Sequence, residues 1–392
     1  MKGRVHREAY FTLLLLLIMS CNRRHDEAPK MQTAESAASG QSRTESASTR
    51  PAIALQEVVF IGGDDVLTFP GYLQGLAQES VANQDRLPLV TRDGGASWSK
   101  LRDETLNFES IHFAGLSQGW LVNIDSELWK TGDGGASWQF VSKIEDGDQT
   151  LIISQQIVFT GELTGWILDL DALWHTEDGG RTWSRRDFPQ LSTRFFLHGE
   201  FIWVASRSSS EENNFIYKTR DAGRSWQEIE VLHTRLADNA DDEMIDDICF
   251  ADSQRGWFVK PHRIYRTVDG GQSWQLQRLP GKGISLKSLC FINEREGWAA
   301  GRQFRPGEPE WDDDPSDAIL LHTTNAGETW KSVDIGARQT KFDRVYFGDS
   351  QNGWLVSQEV AGEFTNANLY RTRDGGTNWQ NVLSVKSPYD FD

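Results

Sequence analysis

Apolar and polar positions alternate along this chain in short runs, and the runs keep a fixed order. A run such as ELWK, FIYK, RIYR or NLYR leads into a Thr-x-Asp-Gly-Gly turn, and a second run opens on a tryptophan shortly after. Period-two alternation bounded by Asp, Gly and Asn predicts strands joined by tight hairpins. The frame TRDGGASW, residues 91–98, returns with its tryptophan at Trp138, Trp183, Trp226, Trp274, Trp330 and Trp379. From Trp98 onward these tryptophans stand 40, 45, 43, 48, 56 and 49 residues apart. A repeat of that period predicts propeller blades or solenoid units.

Within the frame, Asp93, Asp133, Asp178, Asp221, Asp269 and Asp374, with Asn325 in the sixth copy, can accept backbone N–H bonds inside the turn. The glycine two residues later tolerates positive φ, and the tryptophan packs over the hairpin. One residue type repeated on seven separate units cannot converge on one substrate, so turn stapling is the expected role and no metal is assigned to these carboxylates. The pattern resembles the Asp-box, or BNR repeat, of sialidases and many other β-propellers.

A second element precedes each turn: IHFAGLSQGW ending at Trp120, IVFTGELTGW at Trp166, ICFADSQRGW at Trp257, LCFINEREGW at Trp298 and VYFGDSQNGW at Trp354. The fourth unit keeps only Trp203, and the first keeps only EVVF, residues 57–60. Each unit therefore predicts four antiparallel strands with the Asp-box in the hairpin between the third and fourth, and the whole an all-β, single seven-bladed β-propeller over residues 52–392. The combined pattern resembles the photosystem II stability and assembly-factor-like repeat family. That resemblance implies a single propeller acting in protein assembly. Ring closure has two forms at this stage: the last unit completes its own four strands, or residues 52–56 supply a shared closing strand.

Composition agrees with a large all-β domain, with sixteen tryptophans and thirty-five glycines in 392 residues. Residues 1–20 read as a signal peptide: Lys2, Arg4 and Arg7 precede an apolar run too short to span a bilayer. The end of this segment, Ile18-Met19-Ser20-Cys21, resembles the bacterial lipobox, which implies cleavage before Cys21 and lipid attachment to its thiol. Residues 21–51 then form a tether poor in large apolar side chains. We expect a cell-envelope protein, lipid-anchored, with its propeller in the periplasm or at the cell surface.

The formal charge of −17 disfavours nucleic acid and bare anionic membrane as partners. Cys249 and Cys290 occupy equivalent places in the fifth and sixth units, where side chains point the same way around a ring, so we expect two buried thiols and no disulfide. The chain has no HExxH, GxSxG, Walker or dinucleotide loop, and no cofactor or metal is expected. Arg86-Leu87-Pro88 resembles the Arg-Ile-Pro element of sialidases, but it lies just before the first turn and not on an inner strand.

Length variation collects in connections between second and third strands and between units, which share one face. Insertions gathered on one face of a repeat scaffold mark its binding side. Trp311, the one tryptophan outside a repeat position, lies in the sixth unit's insertion with Phe304 and Arg305, and these three are the candidate binding residues. Two acidic clusters, one of Asp238, Asp241, Asp242, Glu243, Asp246 and Asp247 and one of Asp312, Asp313, Asp314 and Asp317, read as a solvated surface attractive to basic proteins. The expected role is a non-catalytic protein-binding or assembly module in the envelope. The alternative is a surface glycan-binding protein or sialidase-like glycosidase.

Overall fold

The computed structural model describes residues 53–62, 65–72, 89–100, 108–115, 117–145, 156–187, 191–207, 214–231, 244–305, 316–337, 340–361 and 364–385. The chain divides into two units; residues 1–51 with 73–81 form one, which lies outside the described residues together with Cys21 and the predicted tether. Every described residue belongs to the other, residues 52–72 with 82–392.

The described residues form seven four-stranded sheets, each antiparallel with its strands in sequence order, and no helix. In the fifth sheet, for example, Asp247–Phe250, Gly256–Lys260, Arg263–Thr267 and Gln275–Leu276 follow one another. Contacts between sheets run in cyclic order, the seventh touching the first, and pass chiefly through the first strands. These are Ile53–Gly62, Phe108–Ala114, Gln156–Phe159, Leu191–His198, Asp247–Phe250, Ile284–Phe291 and Thr340–Phe347. The first strands therefore stand at the centre, and the arrangement is that of a β-propeller.

The register explains the Phe…Gly-Trp motif. Phe113 pairs with Gly119, Phe159 with Gly165, Phe250 with Gly256, Phe291 with Gly297 and Phe347 with Gly353. Each phenyl ring lies across its glycine, and a Cβ on Gly119 or Gly165 would come within 2.6 Å of ring carbon. In four sheets the tryptophan of the second strand, which follows this glycine or, at Trp203, Ile202, stacks on the next sheet's phenylalanine. Trp120 meets Phe159 at 4.2 Å, Trp203 meets Phe250 at 3.8 Å, Trp257 meets Phe291 at 3.6 Å and Trp298 meets Phe347 at 3.5 Å between centroids. Each such stack contributes about 0.5–1.5 kcal/mol beyond the area it buries.

Two further side chains complete each stack. The turn tryptophan stands edge-on to the same phenylalanine, as Trp183 does to Phe159 at 6.1 Å and Trp330 to Phe291 at 5.9 Å. The free face of the Gly-Trp tryptophan is covered from the third strand, by Lys130 on Trp120, Lys218 on Trp203 and Arg371 on Trp354, and by His175 on Trp166 and His322 on Trp298. The fourth sheet breaks the pattern as a pair, with Leu197 opposite Ile202. Trp166 consequently has no phenylalanine to lie on and is 7% exposed, where Trp120, Trp203, Trp257 and Trp298 are at 0%.

An innermost strand is also a sheet edge, and its inward N–H groups need acceptors. The preceding sheet supplies them. Gln156 Oε1 accepts from Phe195 N at 3.2 Å, Asp247 Oδ2 from Leu289 N at 3.0 Å and Ser288 Oγ from Val345 N at 3.3 Å. One register step on, His112 Nδ1 accepts from Phe159 N at 3.2 Å and Cys290 Sγ from Phe347 N at 3.4 Å. Cys249 and Cys290 are free thiols, pushed up in pKa by burial.

The seventh sheet holds its own four strands, and closure runs by packing. Trp98 Nε1 donates to Val382 O at 3.0 Å, and the Arg371 guanidinium lies against Gly94 in the first turn. Lys218 bonds Gly270 O at 3.2 Å in the same relative position, so the closing interface resembles an internal one.

Gly165→Ile should destabilise the protein by about 1–3 kcal/mol through overpacking against Phe159, and adding Phe159→Leu should recover part of that, since Leu197 and Ile202 already coexist. Urea midpoints of the three proteins check this. Burial pushes the His112 pKa down to about 4 from an ordinary 6.5, and protonation removes its acceptor. Its contribution is whole above pH 6.5 and is lost as pH falls toward 4, up to about 3 kcal/mol. His112→Gln should flatten stability over that window, measured by denaturation at stepped pH.

Candidate binding site at the inner strands

The seven turns are closed networks. Thr91 Oγ1 donates to Asp93 Oδ1 at 2.8 Å and accepts from Gly95 N at 2.8 Å, while Ser97 donates its backbone N to Oδ1 at 2.9 Å and its hydroxyl to Oδ2 at 2.6 Å. The same bonds recur about Asp133, Asp178, Asp221 and Asp269, and Asn378 takes the serine's place beside Asp374. Asn325 preserves the geometry with a donating amide to Thr329 Oγ1 at 3.0 Å. These donors, the Ser97 and Ser137 hydroxyls foremost, hold Asp93 and Asp133 down at a pKa of about 2. Both carboxylate oxygens are committed to the turn, whose glycines hold φ near 73° and 90° at Gly134 and Gly135. Ala222 and Ala326 take the first of these places at 57° and 64°.

Of the candidate binding residues, Trp311 lies outside the described residues. Phe304 is 4% exposed and lies beneath the Arg302 guanidinium, 4.6 Å from its ring, so it supports an arginine and offers no surface to a ligand. Arg305 is exposed and pairs with Asp317 at 3.4 Å. The acidic clusters also separate. Asp238, Asp241, Asp242, Glu243 and Asp312 to Asp314 fall outside the described residues, whereas Asp246 and Asp247 are half-buried at the start of the fifth sheet's inner strand. Their expected place in a solvated acidic surface is corrected, because the inner edge needs acceptors there.

That inner strand leads to a charged cluster across sheets four to seven. Lys287 forms an ion pair with the mostly buried Asp246, and Arg194 Nε donates to Asp246 O at 3.4 Å. The charges of Lys341, Lys287, Arg344 and Arg302 pull the Asp343 carboxyl toward its ionised form. Burial pushes up the pKa of both Asp246 and Asp343, against the pull of these cations. Among the described residues, five cations thus act on two carboxylates, Asp246 and Asp343, in a chain of net charge −17.

A β-bulge aims the cluster. The register of the sixth sheet skips Lys287 between Leu286 and Ser288, and that of the seventh skips Asp343 between Phe342 and Arg344. A bulged residue leaves the ladder and its side chain is re-aimed. Asp246, Lys287 and Asp343 each stand four residues before the strand's phenylalanine, and this shared polar offset was the sequence signal for them. Among the described residues no group of three or more His, Cys, Asp or Glu side chains is placed to hold a metal ion.

The family model described as "Photosynthesis system II assembly factor YCF48" matches residues 96–234 and 233–388. "Photosystem II assembly lipoprotein Ycf48" of Synechococcus sp. (strain CC9902) is 28% identical over 139 residues, 34% of this chain and 35% of that protein. "Photosystem II stability/assembly factor HCF136, chloroplastic" of Oryza sativa subsp. japonica is 27% identical over 144 residues, 34% of this chain and 29% of that protein. These alignments span about a third of the relatives' length. The solved structure "YCF48 bound to D1 peptide" shares the fold, with a TM-score of 0.58 and 18% identity over 83% of this chain and 94% of its own.

Lys287→Met should raise the Asp246 pKa further, since the ammonium is the largest influence opposing burial there. Carboxyl carbon titration by NMR on aspartate-labelled protein reads this directly.

Proposed function

The chain belongs to the family of the Photosynthesis system II assembly factor YCF48, and from that premise we propose a seven-bladed propeller that holds a segment of a client polypeptide without catalysis while the client is assembled or stabilised. The observation that carries this reading is the local excess of cations at the inner strands of an otherwise acidic chain. Clefts of one sign focus their field and draw a segment of opposite sign. Lys287, Arg302 and Arg344 would meet carboxylates of the client, and the Asp-box turns would keep the blades rigid beneath them.

We further propose that the propeller works in the cell envelope on a lipid anchor at Cys21, with residues 21–51 as a tether. The lipobox-like residues 18–21 support this. Thirty residues of flexible chain reach on the order of 30 Å, enough to present the propeller to a membrane-bound client.

Crosslinking in the native envelope, followed by capture of the full chain and mass spectrometry, tests the reading. Wild type should return discrete proteins that are lost when Lys287, Arg302 and Arg344 are all changed to Glu. The same proteins from both baits would move the site elsewhere, and protein-free capture with glycan-array binding would replace the client by a glycan. Cys21→Ser should shift the protein from the membrane to the soluble fraction.

A further inference from the structure

The outer rim of the second sheet carries side chains that the rest of the fold does not use. Its third and fourth strands are Glu127–Thr131 and Gln139–Lys143. Trp129 stands opposite Phe140 in the register, and the two rings meet edge to face at 5.6 Å. Phe140 is 52% exposed, an aromatic ring open to solvent on the outermost strand. Glu127 lies beside the same tryptophan: its Oε2 accepts from Trp129 Nε1 at 3.2 Å and from Asn123 Nδ2 at 2.9 Å. Those two bonds fix the carboxylate. Its Oε1 takes no donor from the described residues and is not buried by them. Lys143, the cross-strand partner of Glu127, pairs instead with Glu145 at 3.6 Å.

Other sheets consume the same register position internally. In the third, Arg185 stands opposite Trp174 and donates to Asp171 at 2.9 Å. In the fourth, Glu228 stands opposite Tyr217 and accepts from its hydroxyl at 3.0 Å. In the seventh, Asn381 stands opposite Tyr370 and donates to Asn368 Oδ1 at 3.1 Å. The third sheet is the informative one, since it sets an arginine beside a tryptophan and pairs it with a carboxylate of its own chain. The second sheet presents the aromatic rings and the carboxylate without the arginine. Elsewhere the molecule lays its own cations on its rings, Lys130 on Trp120 and Lys218 on Trp203, yet among the described residues none lies over Trp129 or Phe140.

The group that completes this arrangement is a cation, and its form follows from the two surfaces it must meet. An ammonium is compact and strongly hydrated, whereas a guanidinium is planar, stacks on an aromatic face and donates from its edge. The guanidinium thus meets ring and carboxylate with one side chain. Local charge agrees, since Asp125, Glu127 and Glu145 outnumber Lys143 here, in a chain of net charge −17. We propose that the rim of the second sheet is a docking site for an arginine of a basic partner polypeptide, whose guanidinium lies on Phe140 and donates to Glu127 Oε1. This site stands on outer strands, apart from the inner-strand cations, and takes a ligand of the opposite sign.

The test uses the full chain and fluorescein-labelled octapeptides in which glycine alternates with arginine, with lysine or with citrulline, the uncharged analogue of arginine; binding is read by anisotropy. Wild type should bind the arginine peptide about tenfold or more tightly over the citrulline peptide, and more tightly than the lysine peptide. Glu127→Gln keeps an acceptor for Trp129 and Asn123 and should weaken the arginine peptide about tenfold. Phe140→Leu, which copies Leu276 at the same register position of the fifth sheet, should weaken it about fivefold. Glu200→Gln, an equal change of charge at an exposed turn of the fourth sheet, should leave it unchanged. Equal losses from Glu200→Gln and Glu127→Gln would mean diffuse attraction and overturn the proposal, as would no binding to wild type. Equal binding of the lysine and arginine peptides would overturn the assignment to arginine. Urea midpoints of the variants are measured alongside, and should Phe140→Leu fail to fold, Glu127→Gln against Glu200→Gln still decides the site.

Discussion

A tryptophan lying flat on the phenylalanine of the next sheet is the contact on which this molecule depends. Backbone hydrogen bonds cross between sheets at isolated points, such as Ser192 N to Leu170 O at 2.8 Å, and side chains make the rest of the join. The stacks of Trp120 on Phe159, Trp203 on Phe250, Trp257 on Phe291 and Trp298 on Phe347 repeat one geometry around the cycle. That geometry requires the phenyl ring to lie across the adjacent strand, which is open only where the opposite residue lacks a Cβ. Phenylalanine, glycine and tryptophan are thus one constraint written at three positions. The fourth sheet shows the coupling, since it changes phenylalanine and glycine together and leaves Trp166 the least covered of the group.

The same construction produces the site. Setting each sheet with its first strand innermost leaves a ring of backbone edges at the centre, and those edges draw Gln156, Asp247, Ser288, His112 and Cys290 into service as acceptors. Where the inner strand bulges, the extra residue is released from the ladder, and Lys287 and Asp343 sit at such points. The turn aspartates and the inner-strand aspartates therefore belong to different chemistries. The first are saturated by local donors and held ionised; the second are set by burial against neighbouring cations.

Identity of the repeats makes the scaffold, and departures from identity make the surface. Four positions before the strand phenylalanine, the fifth, sixth and seventh sheets carry Asp246, Lys287 and Asp343. A symmetric ring with one residue type there would offer no direction to a ligand. The mixture sets Lys287 between two carboxylates, and the proposed role in holding a client segment draws on this lysine together with Arg302, Lys341 and Arg344, whose charges act on Asp343.

The fold was legible because the repeat is local. Hairpins, turn networks and the four strands of each unit are set by residues within about fifty positions of one another, and Thr-x-Asp-Gly-Gly states its own hydrogen bonds. The site was legible only in part. Phe304 and Arg305 lie at one end of the sixth sheet's second strand, where burial makes Phe304 the support of Arg302. Asp246 and Asp247 read as surface because their neighbours in sequence are acidic; packing placed them at an inner edge beside Lys287 and Ser288, some forty residues away. Sequence alone determined the all-β class and the four antiparallel strands of each unit, since those depend on contacts inside one repeat. Tertiary structure decided which charged residues meet at the centre and how the ring closes, because those contacts join different sheets and depend on the angle at which one sheet is set against the next.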